Sequence, residues 1–320
     1  MSIVKNIFII FVSFLIILIF LELALRITGS KPRVDNLGRG NDPIIYQNDE
    51  ELGWSQKPGI YFFQPWSEEG KLTKFTINND GSRKIEDQPA VDSKILFFGG
   101  SLTQGWAVDD KENFVKYFQD LNKNFKVYNF GVGGYGGYQS LLLQEKVING
   151  LENINHIIYG FIDHHEVRNV AAGSWLYLLN EYSQRGHINL PYGSIANGKL
   201  KKNLPTNYIK LPLSKKSALI AKVEKRIMKL KSKNREQVQF DISKLIIKEM
   251  SENSKKFNSK FTVLILDSKE EILVKYLKFF NDQNINYINC PFPPNEFVKG
   301  EGHPNHNGHK IVANCINEKL

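Results

Sequence analysis

The chain has 320 residues, 42% of them hydrophobic and 23% charged, with a formal net charge of +9. That balance excludes a disordered chain and allows one large domain with attachments. The basic excess is local: residues 199–235 hold thirteen Lys/Arg against one acid, Glu224, so this segment carries +12 and the rest of the chain sums to −3.

The amino terminus sets the first expectation. Ile7 to Leu25 is apolar except for Ser13 and Glu22. As a helix it spans about 28 Å, enough to cross a bilayer core. A cleaved signal peptide is the competing account, but only Thr28-Gly29-Ser30 follows, without an A-x-A cleavage site. Residues 1–30 are therefore expected to be an uncleaved, single-pass anchor. One lysine, Lys5, precedes the helix, while Arg26, Lys31, Arg33 and Arg39 follow it, so the positive-inside rule favours a cytoplasmic body.

Residues 31–92 lack helical periodicity. Phe75-Thr76-Ile77 followed by Asp80-Gly81 signals strands and a tight turn, and a strand-rich lead-in packed on the main domain is expected. From residue 93 onward strands and helices alternate. Strands are predicted at 94–98, 126–130, 154–162, 261–266 and 285–289. Helices are predicted from an Asp109/Glu112 start through Phe114, Val115, Phe118 and Leu121, then at 138–148, 241–257, 272–280 and from about His306, the last burying Ile311, Val312, Cys315 and Ile316. Five strands with helical crossovers imply a parallel sheet covered on both faces. A basic helical insertion, about 173–257, separates the third strand from the fourth.

Four polar stretches fall at strand ends, where open α/β sheets bind ligands. After the first strand comes Gly99-Gly100-Ser101-Leu102-Thr103-Gln104-Gly105, a tight turn that would lift the Ser101 hydroxyl to the sheet edge. After the second comes Gly131-Val132-Gly133-Gly134-Tyr135-Gly136, which satisfies G-x-G-x-x-G. A dinucleotide site competes there, but no acidic residue ends the next strand about 20 positions on, where a ribose would be held. The other account is a loop whose bare N–H groups face a developing oxyanion. The third stretch is Asp163-His164-His165-Glu166-Val167-Arg168-Asn169. The last, Glu301-Gly302-His303-Pro304-Asn305, supplies a base in His303 and, two residues earlier, a carboxylate able to orient it. His303, His306 and His309 recur every three residues, but no known zinc spacing fits them, and neither a metal nor a cofactor is expected.

Taken in order, these blocks resemble the SGNH (GDSL-type) serine hydrolases over about residues 93–320. The resemblance implies a flavodoxin-like three-layer α/β/α fold, with Ser101 as nucleophile, His303 as base, and the N–H groups of Ser101 and Gly134 in the oxyanion hole. Gly100 stands where the family often has aspartate, and Glu301 where its acid is normally aspartate. The family's oxyanion asparagine would align with Asp163 or His164. An ionised Asp163 has no proton to donate, so the third donor is left open between His164 and a neighbour held by Asp163, such as His165 or Arg168.

Leu21-Glu22-Leu23-Ala24-Leu25-Arg26, Gly53-Trp54 and Asn78 to Arg83 look like the membrane-anchored bacterial members, associated with acylating or deacylating envelope polysaccharides. That places the domain outside the cytoplasm, on the periplasmic side of a bacterial inner membrane, against the charge count. The implied activity is cleavage or transfer of an acyl ester, acetyl being the expected group, on an envelope glycan. The implied partners are that acylated glycan and the bilayer through residues 7–25, with an anionic surface contact through 199–235 and no nucleic acid. The competing class is a non-catalytic glycan-binding or scaffold protein that keeps the fold. The two cysteines, Cys290 at a strand top and Cys315 some nine residues into a descending helix, are expected to lie too far apart to pair, about 13 Å vertically, and to remain free thiols.

Overall fold

The computed structural model describes residues 2–35, 43–64, 71–183 and 189–320. Arg39, counted above for orientation, and parts of the lead-in (36–42, 65–70) and of the insertion (184–188) lie outside the described residues. Helix α1 (Ser2–Ile27) opens the chain. From Ile3 to Ile27 it is long and apolar enough to cross a membrane, with a mean hydropathy of 3.1 and none of that stretch buried against the protein.

The lead-in is two antiparallel pairs, β1 (Tyr46–Asp49) with β2 (Gly53–Gln56) and β3 (Gly59–Phe63) with β4 (Thr73–Ile77). The Asp80-Gly81 turn forms, closed by Asn78 N donating to Ser82 O at 2.9 Å, with Ile77 bridging to Arg83.

The main sheet begins with β5 (Lys94–Gly99), followed by α2 (Ser101–Gln104) and α3 (Phe114–Leu121). Then come β6 (Lys126–Gly131), α4 (Gly137–Ile148) and β7 (Ile154–Ile162). After α5 (His165–Asn169) and α6 (Gly173–Tyr182) the chain makes a hairpin, β8 (Asn189–Ala196) and β9 (Lys199–Asn207), and two long helices, α7 (Ala218–Glu236) and α8 (Gln239–Lys256). It closes with β10 (Lys260–Asp267), α9 (Glu270–Asp282), β11 (Asn286–Asn289) and α10 (His306–Lys319). The strands lie in the order β11-β10-β7-β5-β6, all parallel. Numbered within the sheet that is 2-1-3-4-5, the flavodoxin-like order, whose switch point falls between β5 and β7.

Both faces are dry because the strands are apolar on both sides. Leu96 and Phe98 join α4, α8 and α9 in one core through Leu141, Ile246, Met250 and Phe280. Ile95 and Phe97 point the other way, onto Phe114 and Phe118 of α3 and Val312 and Ile316 of α10. Burying a side chain of this kind contributes roughly 1.5–3 kcal/mol, so the alternation along β5 commits it to a central position.

The structure corrects several expectations. The insertion is not helical throughout: residues 189–207 form the β8–β9 hairpin, turning at Asn197 and Gly198, both with positive φ (52° and 71°). Asn-Gly is the preferred pair for that tight turn, and the lysine-rich composition around it obscured the signal. Helix α3 starts at an Asn113 cap, which accepts from Lys116 N at 3.0 Å, rather than at Asp109. On α10, Val312 and Ile316 are buried but Ile311 is 45% exposed.

The cysteines are bonded. Cys290 and Cys315 form a disulfide with Cα atoms 5.9 Å apart. The error lay in the assumed height of α10. Pairing continues past β11, with Cys290 N donating to Ile265 O and Phe292 N to Leu266 O, both at 3.0 Å. The start of α10 lies higher still, Gly308 packing against Phe292 and Glu296. The helix therefore reaches the level of Cys290 only after about two and a half turns.

Candidate active site

Ser101 begins the single turn α2 directly after β5, and Gly100 before it is extended. Several buried groups fix this turn. Asn129 on β6 donates to Thr103 O at 2.9 Å and accepts from Gly131 N at 2.9 Å. Arg83, fully buried, donates to Gln104 O at 2.8 Å, to Gly105 O, and to Val108 O at 2.6 Å, and pairs with Asp110 at 3.3 Å. Burial lowers the Arg83 pKa to about 10, so it stays charged at neutral pH. Gln104 also donates to Gln56 Oε1 at 2.6 Å. The lead-in thus acts as the buttress of the Ser101 turn.

His303 and Glu301 come from the loop between β11 and α10. That loop is closed on itself by Val298 N donating to His303 O at 2.8 Å and by a bridge between Phe297 and Pro304. His303 Nε2 lies 2.8 Å from Ser101 Oγ, and His303 Nδ1 lies 2.8 Å from Glu301 Oε2. With the proton on Nδ1 and donated in a hydrogen bond to Glu301, Nε2 is free to accept from the Ser101 hydroxyl. The glutamate's extra methylene does not prevent the contact, and its side chain is only 4% exposed. Ser101, His303 and Glu301 are therefore one hydrogen-bonded chain.

Ser101 and His303 open onto a cavity of about 340 Å³. Gly133 and Gly134 form part of its wall beside Ser101, and aromatic residues Tyr46, Trp106, Trp175 and Tyr182 surround it. Trp54 Nε1 donates to Gly133 O at 3.2 Å, so the lead-in braces the glycine loop as well.

The third stretch is arranged differently from what its alignment implies. Asp163 is turned to the β10–α9 connection: its Oδ2 accepts from Lys269 N at 3.0 Å just before α9, and its own N–H donates to Asp267 O at 3.2 Å. His164 is exposed, edge-on to Trp175 at 5.6 Å. The cavity wall includes neither of them, but it does include Arg168. The Arg168 guanidinium donates to Tyr135 O at 2.9 Å and lies over the Trp175 ring at 4.4 Å. It packs directly on Gly100: a Cβ there would meet His165 Nε2 at 2.9 Å and Arg168 Nη1 at 3.2 Å. An aspartate at position 100 would occupy the space these two side chains fill. His165 is fully buried, 2.7 Å from Tyr159 Oη through Nδ1, and burial together with Arg168 holds its pKa well below 6.5.

The other histidines are not gathered with His303. His309 is buried, accepting from Phe114 N at 3.2 Å through Nδ1 and stacked on the Phe114 ring. Among the described residues no three His, Cys, Asp or Glu side chains come together as a metal site. Of the neighbours of Asp163 that the sequence left open, His165 and Arg168, only Arg168 lines the cavity; sequence reasoning missed Arg83, and the arginine closing the Asn78 to Arg83 stretch was the available signal.

No family profile and no curated protein matches the chain. Solved structures share its chain trace in part. One is a lipolytic protein of the G-D-S-L family from Veillonella parvula DSM 2008, at 12% identity and a TM-score of 0.43, covering 72% of this chain and 98% of that one. Another is a putative lipolytic protein of the same family from Desulfitobacterium hafniense DCB-2, at 11% identity and a TM-score of 0.43, covering 71% and 99%. A third is the esterase EstA from Pseudoalteromonas sp., at 11% identity and a TM-score of 0.40, covering 71% and 96%.

Proposed function

We propose that the protein is a membrane-anchored serine esterase or acyltransferase acting on an acylated envelope glycan. The observation that carries this is the continuous Ser101–His303–Glu301 chain, 2.8 Å at each link, at the mouth of a cavity. Ser101 Oγ attacks the ester carbonyl while His303 Nε2 takes its proton. Glu301 holds the imidazole and stabilises its cation. His303 returns the proton to the leaving alkoxide, leaving an acyl-enzyme, which water or a sugar hydroxyl then opens. The N–H groups of Ser101 and Gly134 receive the oxyanion.

In this account Arg168, not Asp163 or His164, stands in for the family's asparagine. It lines the same cavity as Ser101 and Gly134, and the missing side chain of Gly100 gives it room. A buried, fixed cation at the cavity wall favours a developing negative charge. The ring of tyrosine and tryptophan side chains suits the faces of a sugar, which supports a glycan over a simple alkyl ester.

The test is ester turnover by the full-length protein, with acetylated glycan and a small chromogenic acetate as substrates. Ser101→Ala should reduce kcat by about 1,000-fold or more and leave stability within about 0.5 kcal/mol. A fluorophosphonate should label Ser101 alone in the wild type. A wild type that binds glycan without turnover or labelling would establish the scaffold class instead.

A further inference from the structure

The apolar helix carries one acid, Glu22, which a membrane span has no use for. The structure gives it a partner. Its carboxylate accepts from Ser217 Oγ at 2.8 Å, Ala218 N at 2.9 Å and Leu219 N at 2.8 Å, the opening groups of α7. A carboxylate at a helix amino terminus meets both its unpaired N–H groups and its dipole. Arg26, 2.6 Å from Glu22, donates to Lys216 O at 2.7 Å. The chain beyond α1 stays attached to the same region: Arg33 N donates to Ser214 O at 2.8 Å, and the Arg33 side chain lies 3.3 Å from Glu224 on α7. Residues 22–35 are thus a bonded joint between α1 and α7, not a loose tether.

The joint fixes where α7 begins. Glu22 precedes the end of α1 by five residues, about 7.5 Å along the axis, so α7 starts beside the last turns of the apolar helix. Its inner face is buried through Ala218, Ala221, Glu224, Met228 and Ser232. The opposite face exposes Val223 (45%), Ile227 (36%) and Leu230 (56%) at helical spacing. Lys222, Arg226, Lys229 and Lys233, all exposed, form a row beside that stripe. An apolar stripe flanked by cations, starting at the interface, fits an anionic bilayer surface.

We propose that α7 lies on the anionic lipid surface beside α1, making anchor and helix a two-point mount that fixes the height of the active-site cavity above the membrane. The far end of α7 supports this consequence. Ser232 Oγ accepts from Gly173 N at 3.0 Å, and Arg235 donates to Ala171 O at 2.8 Å, which ties α7 to the start of α6. Helix α6 supplies Trp175, Leu179 and Tyr182 to the cavity wall. The proposal rests on α1 being an anchor, and the test separates the two.

The full-length protein is reconstituted in nanodiscs of phosphatidylcholine, with or without phosphatidylglycerol, carrying a small fraction of doxyl-labelled lipid as quencher. An environment-sensitive fluorophore is attached singly at Phe14→Cys, Val223→Cys, Leu230→Cys or, as a control, Glu252→Cys. Quenching at positions 223 and 230 should be at least about threefold greater on the anionic discs, because the row of cations is attracted only there. It should fall to the control level in high salt or with Lys222, Arg226 and Lys229 changed to glutamate. Strong quenching at position 14 on both discs, with positions 223 and 230 no more quenched than the control, overturns the proposal and leaves the anchor standing. Absence of quenching at position 14 overturns the anchor and the proposal together.

Discussion

The Cys290–Cys315 bond closes the segment that carries Glu301 and His303, so breaking it tests how His303 is held. The two residues are 25 apart in sequence. In the chain-entropy account, a loop of that size restricts the unfolded state by about 3.5 kcal/mol at 25 °C. For a domain of this length that corresponds to a fall in Tm of about 6 °C on loss of the bond. The folded loop keeps other ties: Phe292 N to Leu266 O at 3.0 Å, Asn305 N to Glu296 O at 2.9 Å, and the Asn305 cap on Gly308 N at 3.0 Å. Activity at 25 °C should therefore drop by no more than about threefold, because these contacts set the His303 position once the protein is folded. Cys315→Ser is the cleaner variant, since Cys290 is 1% exposed and its truncation would add a cavity. Thermal unfolding and ester turnover of the oxidised protein, the reduced protein and Cys315→Ser decide the matter. Equal midpoints for all three, or alkylation of both cysteines without reductant, would refute the reasoning.

Arg168→Met should lower kcat by roughly 100- to 1,000-fold with KM little changed, as for loss of one oxyanion donor, and added guanidinium should partly rescue Arg168→Ala; an unchanged kcat removes Arg168 from the mechanism. Asp163→Asn should leave kcat within about twofold, because the amide oxygen can still accept from Lys269 N and position 163 does not face the cavity; a large change in kcat would return Asp163 to the site. Stability should fall as pH drops from about 6.5 to about 4, because His156 is buried with its pKa lowered to about 4. In that window the unfolded chain takes up a proton that the folded chain refuses, an effect on the order of 3 kcal/mol. Urea midpoints across pH, with His156→Gln as the variant of shallower slope, measure it; a midpoint flat over this range contradicts the burial argument.

What could be read from the sequence, and what could not, divides along a physical line. The five strands were legible because each is an apolar run facing two dry layers, and the Ser101–His303–Glu301 group because each member sits in a glycine-flanked block at a strand end. These properties belong to a residue and its chain neighbours. The choice of Arg168 over His164 and His165 was not legible, since its position depends on an absent side chain at Gly100 and a ring at Trp175. The cysteine pair failed for a related reason: helix geometry gives the rise along α10, but the height at which α10 begins is set by the packing of Gly308 on Phe292 and Glu296. Glu22 is the limiting case. Within its own segment it is a polar residue interrupting an apolar helix, with only Arg26, four residues on, as a partner. Its three donors lie 195 to 197 residues away in the chain. A carboxylate in an apolar helix costs several kcal/mol of desolvation unless hydrogen bonds offset it, so such a residue implies a polar partner before one is known. The partner it finds is the amino terminus of α7, where Ser217, followed by a long lysine-rich helix, presents a hydroxyl and two free N–H groups.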